Sequence, residues 1–250
     1  MVFLKTRFEI EKIREAGKIV AEVLTRVEQE IRPGISTLEL DELAEKIILA
    51  HPDSRPAFKG YGGFPGTLCV SLNNEVVHGI PKRDRILAES DVVSVDVGAF
   101  HRGYYADAAS TFVVGPADER RARLIDSCRR ALEAGIAQAV VNNRVGDIGA
   151  AVQKVVEADN YSVVRDLVGH GIGQSLHEDP QVPNYGRPKS GYPLKEGLVV
   201  AIEPMVNEGT YDVRTLSDNW TVVTADGKLS AHIEHTVAVG PNGPEILTRA

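Results

Sequence analysis

Residues 89–98 read ESDVVSVDVG, and residues 196–205 read EGLVVAIEPM. Each is a short apolar run of the length and β-branched content that makes a buried strand. Each also carries an acid inside that run, Asp96 in the first and Glu203 in the second. An unpaired carboxylate in a low-dielectric interior is costly, so acids at matched places in two such runs require compensation. Two further acids continue the parallel: Asp107 heads DAASTFVVG (107–115) and Glu234 heads EHTVAVG (234–240). A break followed by a helix pattern at 33–50 resembles another at 143–159. Two similar halves, 6–115 and 117–240, each a helix pair followed by strands, predict one α+β domain spanning 1–250. Its expected form is pseudo-twofold, with antiparallel sheet flanked by helices.

The helices are marked at their ends. Thr6 with Glu9 reads as a capping box before Ile10, Ile13, Val20, Val23, Val27 and Ile31, and Pro33-Gly34 breaks that helix. Ser36 with Glu39 caps a second helix carrying Leu40, Leu43 and Ile47, stopped before Pro52. GYGGFPG (60–66) reads as a glycine-rich loop leading to a strand at Thr67–Leu72. A third helix is expected over 117–141, and a fourth opened by Asp147 and running to Asp159.

The four acids are the chemical centre of the chain. A hairpin turning between His101 and Arg102 would set Asp96 and Asp107 opposite each other, roughly 4.5–5.5 Å apart at Cβ. By the repeat, Glu203 and Glu234 form the matching pair. Four ionised carboxylates carry a charge that two divalent cations balance, and paired metals bridged by carboxylates recur in hydrolases. His170, between glycines in VGHGIGQSLHEDP, supplies a fifth ligand, with His177 seven residues on and His78 in EVVHGIP. Such an oxygen-rich set with one imidazole favours manganese, iron(II) or cobalt over a structural zinc site. HExxH, GxSxG and Walker-type motifs are all lacking. Cys69, in an apolar strand segment, reads as a pocket or core wall.

Composition narrows the classes further. Among 250 residues, 28 Lys+Arg against 35 Asp+Glu give a net charge of −7, which argues against DNA as a partner. No apolar run approaches the roughly 20 residues of a membrane span, and MVFLKTRFEI has no signal-peptide pattern. Two cysteines exclude a disulfide framework. A cytoplasmic, monomeric protein without membrane attachment is expected. The basic groups Lys82, Arg83, Arg85 and Arg120, Arg121, Arg123 read as solvated faces, with transient ribosome contact as a minor alternative.

The ordered set Asp96, Asp107, His170, Glu203, Glu234 resembles the metal ligands of the pita-bread metallopeptidases. PAFKGYGGFPGTLCVSLNNEVVHGIP (56–81), VGHGIGQSLHEDPQVPNY (168–185), AIEPMV (201–206) and AHIEHTVAVG (231–240) are similar to the type I methionine aminopeptidase family. The resemblance runs from about residue 6 to residue 248 and implies the pita-bread fold. It implies two divalent cations, from among cobalt, manganese, iron(II) and zinc. Asp96 would chelate one cation, His170 and Glu203 would bind the other, and Asp107 and Glu234 would bridge. It further implies that His78 contacts the scissile amide nitrogen and His177 the carbonyl oxygen, while Glu203 shuttles a proton. Phe58, Tyr61, Phe64, Cys69 and Trp220 match its pocket for a methionine side chain. Phe58 stands where some relatives have cysteine, and Leu167 where the family's histidine motif usually has an aromatic. The implied activity is removal of the initiator methionine from nascent polypeptide N-termini when the second residue is small. A proline-specific exopeptidase of the same fold and a non-catalytic binding protein are the alternatives. The family's eukaryotic type I members carry an extra amino-terminal zinc domain and its type II members a large insertion, so the compact bacterial form is expected.

Overall fold

Thr6 and Glu9 close the first helix with a reciprocal cap: the Glu9 N–H donates to Thr6 Oγ1, and the Thr6 N–H donates to Glu9 Oε2. In the computed structural model, which describes residues 2–249, this helix is α1 (Arg7–Glu30). Ser36 and Glu39 cap α2 (Thr37–Ala50) in the same way. Strands β1 (Ser54–Pro56), β2 (Leu68–Leu72), β3 (Glu75–Val77), β4 (Val92–His101) and β5 (Tyr104–Val113) follow. β4 is the axis of the first sheet: β5 pairs along one edge, and β1 and β2 pair end to end along the other. The apolar stripe of α1, including Ile13, Val20 and Val27, packs with Val93, Val95 and Val97 of β4 in the largest core cluster.

The second half repeats the plan. Helices α3 (Glu119–Ala137) and α4 (Val145–Ala158) precede the short strand β6 (Ser162–Val163). Strands β7 (Gly169–Gly171), β8 (Glu178–Val182), β9 (Val199–Ile202) and β10 (Met205–Asn207) come next. The chain finishes with β11 (Val213–Thr215), β12 (Val222–Thr224), β13 (Ser230–His232), β14 (His235–Gly240) and β15 (Gly243–Ile246). The second main sheet runs β15-β14-β9-β7-β8, and two three-stranded sheets, β13-β10-β6 and β11-β12-β3, complete the fold. Leu132, Ile136 and Ile148 of α3 and α4 pack against Val200, Ile202 and Val237 of this sheet. The matching helices α2 and α4 are both 14 residues long. Among the described residues no helix is long and apolar enough to cross a membrane.

Three boundaries differ from expectation. The third helix is shorter than 117–141 because Asp118 is its cap, accepting the Arg121 N–H, and the chain leaves the helix at Gln138. Asp147 does not open α4; it sits at the third position and reaches back to the Arg144 N–H, so the helix begins two residues earlier. The β4–β5 turn lies one residue later than a His101-Arg102 centre. Arg102 and Gly103 are its two central residues, with φ of +45° and +95°. A two-residue hairpin turn of this hand needs both central residues left-handed, and Gly103 meets that demand at the second position. Asp96 therefore faces Ala109, and Asp107 faces Gly98. A shift of the pairing by two keeps both aspartates on one face but makes them diagonal neighbours, about 7–8 Å apart rather than in direct opposition.

Candidate metal centre and substrate cavity

The two halves meet along β5 and the start of β14. The Glu234 N–H donates to the Ala109 carbonyl at 3.0 Å, and the Asp107 N–H donates to Thr236 Oγ1 at 3.1 Å. The Thr236 hydroxyl in turn lies 2.8 Å from the Asp107 carbonyl, to which it donates. This seam brings Asp107 from one half beside Glu234 from the other, both 3% exposed. Glu203 follows directly on β9, beside β14, and Asp96 lies in β4 opposite Cys69.

His170 completes the group from β7. Donor atoms of Asp107, His170 and Glu234 all lie within 4.8 Å of one another. His170 Nδ1 is 2.9 Å from the Gly171 carbonyl, which only accepts, so Nδ1 carries the proton. Nε2 is then left with its lone pair toward Asp107 Oδ2 at 3.5 Å and Glu203 Oε1 at 3.6 Å. An imidazole oriented through its other nitrogen is the usual state of a metal-ligating histidine. Glycines on both sides make the approach: a Cβ at residue 171 would stand 2.2 Å from the Asp179 carbonyl oxygen, and one at residue 169 would stand 2.3 Å from that of Ala201.

The electrostatics are those of a cation-binding donor set. Burial, reinforced by the neighbouring acids, pushes the carboxyls of Asp96, Glu203 and Glu234 well above the carboxylate range. Burial lifts Asp107 to about 6. Desolvation holds His78, His170 and His177 down to about 4. Asp96 Oδ1 is buried with no hydrogen-bond partner among the described residues. Buried carboxyls that favour their protons, neutral imidazoles and a carboxylate oxygen with no hydrogen-bond partner are a donor set whose charge a cation would compensate. The residues fit divalent cations.

A cavity of about 750 Å³ opens over this floor, and all twelve residues singled out from the sequence line it. Phe64 and Trp220 meet edge to face at 5.1 Å, with His78 beside Trp220 at 6.3 Å. Phe58 packs against the first core as well as lining the cavity. His177 stands over His170 with ring centroids 4.3 Å apart, and its Nδ1 is 2.8 Å from the Tyr61 hydroxyl. Leu167 lines the cavity and packs with Val77, Val164 and Met205.

Sequence reasoning missed His232 and Thr236. His232 is 1% exposed, lines the cavity, and places Nε2 3.7 Å from Glu203 Oε2 with no hydrogen-bond partner among the described residues. Residues 232, 234 and 236 alternate along an extended segment, so period-two spacing around Glu234 was the available signal.

Residues 11–241 match the family model of metallopeptidase family M24. The chain belongs to that family. This M24 chain is 53% identical over 248 residues to the methionine aminopeptidase of Clostridium acetobutylicum, with 99% of each covered. It is similar to the crystal structure of the methionine aminopeptidase of Thermotoga maritima, with a TM-score of 0.97, 47% identity and full coverage of both chains. Prolidase from Pyrococcus furiosus shares the fold at a TM-score of 0.79 and 23% identity, and the M24 chain covers 65% of it. The architecture is the pita-bread fold of these proteins.

Proposed function

We propose that this chain, acting as one catalytic domain, is a methionine aminopeptidase that removes the first residue of polypeptides beginning with methionine. The observation that carries the reading is the convergence of five metal-ligand candidates and five apolar pocket residues on one cavity. High identity to methionine aminopeptidases along the full chain supports it, whereas proline-specific relatives resemble it in fold alone.

Asp96, Asp107, His170, Glu203 and Glu234 would hold two divalent cations, from among cobalt, manganese, iron(II) and zinc. When bound, such ions supply Lewis acidity and lower the pKa of water toward neutrality. The chain's own groups do the rest. The methionine side chain lies among Phe58, Tyr61, Phe64, Cys69 and Trp220, whose ring edges and thiol suit a polarisable thioether. His177 is neutral at pH 7 and its Nδ1 lies 2.8 Å from the Tyr61 hydroxyl; with Tyr61 as the donor there, Nε2 would carry the proton and donate to the scissile carbonyl oxygen. His78 stands near the amide nitrogen. Glu203, which lines the cavity floor beside His170, takes a proton from the attacking water and returns it to the departing amine.

Nascent amino termini in the cytoplasm are the partners this reading requires, and a monomer suffices because one chain supplies every group named. Three of the five arginines considered for ribosome contact are engaged: Arg85 pairs with Glu75, Arg120 with Glu208, and Arg121 with Asp118 and the Ser90 carbonyl. That favours structural surface pairs over a ribosome-binding patch. The test is metal-stripped protein refilled ion by ion and assayed on Met-Ala-Ser and Ala-Pro-Ala. Metal-dependent release of methionine from the first peptide is expected. Preference for the proline peptide, or no activation by any divalent ion, overturns the reading.

A further inference from the structure

The turn between β7 and β8 carries His177 at an exposed position, yet the geometry of the reaction requires this ring to be fixed. Its tether to Tyr61 comes from another exposed side chain, 47% accessible. A firmer hold comes from inside the turn. Glu178, the next residue, turns its carboxylate back: Oε1 accepts the N–H groups of Gln174 at 2.8 Å and Ser175 at 3.1 Å. Its other oxygen, Oε2, is 2.5 Å from Lys5 Nζ, and the two side chains are only 7% and 4% exposed.

Lys5 is held as closely as its partner. Its N–H donates to the Gly197 carbonyl at 2.7 Å, just ahead of β9, and Nζ also donates to the Phe3 carbonyl at 2.9 Å. Two glycines make room for it. A Cβ at residue 173 would stand 2.4 Å from Lys5 Cε, and one at residue 197 would stand 2.5 Å from the Lys5 carbonyl oxygen. The amino-terminal arm is thus wedged between the segment leading into β9, which Glu203 directly follows, and the turn that presents His177. Phe3 on the same arm lines the cavity.

We propose that Lys5, through its buried pair with Glu178, is a positioning residue for His177, so that the amino-terminal arm forms part of the active-site frame. A buried ion pair is a poor source of net stability, since its desolvation cost offsets most of its attraction, but it fixes geometry because both charges must stay matched. Here the geometry fixed is that of a turn whose donor must meet a developing oxyanion, where a misplacement of about 1 Å costs on the order of a hundredfold in rate. The inference rests on the role of His177 given above.

The test is a double-mutant cycle on the metal-loaded full chain. Lys5→Met keeps the aliphatic stem and removes the charge; His177→Ala removes the donor. Lys5→Met is expected to lower kcat about tenfold with KM changed less than about twofold and metal affinity unaltered. In the His177→Ala background the same substitution is expected to change kcat by less than about twofold, because the group it positions is gone. Should Lys5→Met fail to fold because Glu178 is left buried and unpaired, Lys5→Met/Glu178→Gln removes both charges and takes its place in the cycle. Either version retaining full kcat while His177→Ala is impaired overturns the inference, as does an undiminished loss in the His177→Ala background. If His177→Ala itself keeps full kcat, the fault lies in the role assigned to His177.

Discussion

Replacing Asp107 by asparagine should stabilise the metal-free protein at neutral pH. The side chain is buried among Asp96, Glu203 and Glu234, and its pKa rises from 3.8 to about 6 on folding. A group with a raised folded-state pKa contributes stability that is fully present below its unfolded pKa and lost as pH rises through its folded one. A shift of roughly two units corresponds to about 3 kcal/mol lost above pH 6, and about 2 kcal/mol of that falls between pH 4.5 and 7.5. Asparagine has nearly the same shape and does not titrate. Urea unfolding in the presence of a chelator should therefore show Asp107→Asn gaining on the wild type by about 2 kcal/mol across that pH interval. With saturating metal the order should reverse, because an amide is a poorer ligand for a divalent cation than a carboxylate. A stability difference that stays flat with pH in chelator would refute the reasoning, since it would mean that the carboxylate keeps its charge at no cost without a cation.

Other substitutions report on separate parts of the site. His170→Ala should weaken metal binding by at least about tenfold while leaving the fold intact, as measured by calorimetric titration of stripped protein. Gly98→Ala would place a Cβ 2.7 Å from the Phe58 ring and 2.9 Å from the Ala57 methyl, and should raise KM for methionyl peptides and cost about 1–3 kcal/mol in denaturant unfolding. Tyr61→Phe removes the hydroxyl that lies against His177 Nδ1, so kcat should fall several-fold, with its loss no larger in a His177→Ala background. Trp220→Ala opens the wall against Phe64 and should raise KM for methionyl peptides more than it lowers kcat in steady-state assays.

Much of this architecture is local and so was legible. The capping boxes at Thr6–Glu9 and Ser36–Glu39 place the starts of α1 and α2 because cap and partner are three residues apart. The acids stood out because they interrupt apolar strands, and that signal is visible in a few residues of sequence. The hairpin register was misread by two because the turn was centred on the acids, whereas the left-handed demand at Gly103 sets it. The contacts that join distant parts of the chain were not legible. The Glu234–Ala109 backbone pair, the Thr236 hydroxyl on Asp107 and the Lys5–Glu178 pair each join residues more than a hundred positions apart, with no local pattern to announce them.

The seam has a mechanical consequence. Asp107 and Glu234 belong to opposite halves, half a chain apart in sequence, and their donor atoms converge with that of His170. Any ion seated there is a cross-link, closing a long loop of chain in the manner of a removable disulfide. Loading the site and fastening the halves together become one event. Chelation should then do more than silence the enzyme: it should loosen the joint, and hydrogen exchange at β5 and β14 should quicken before exchange in α1 or α3 does.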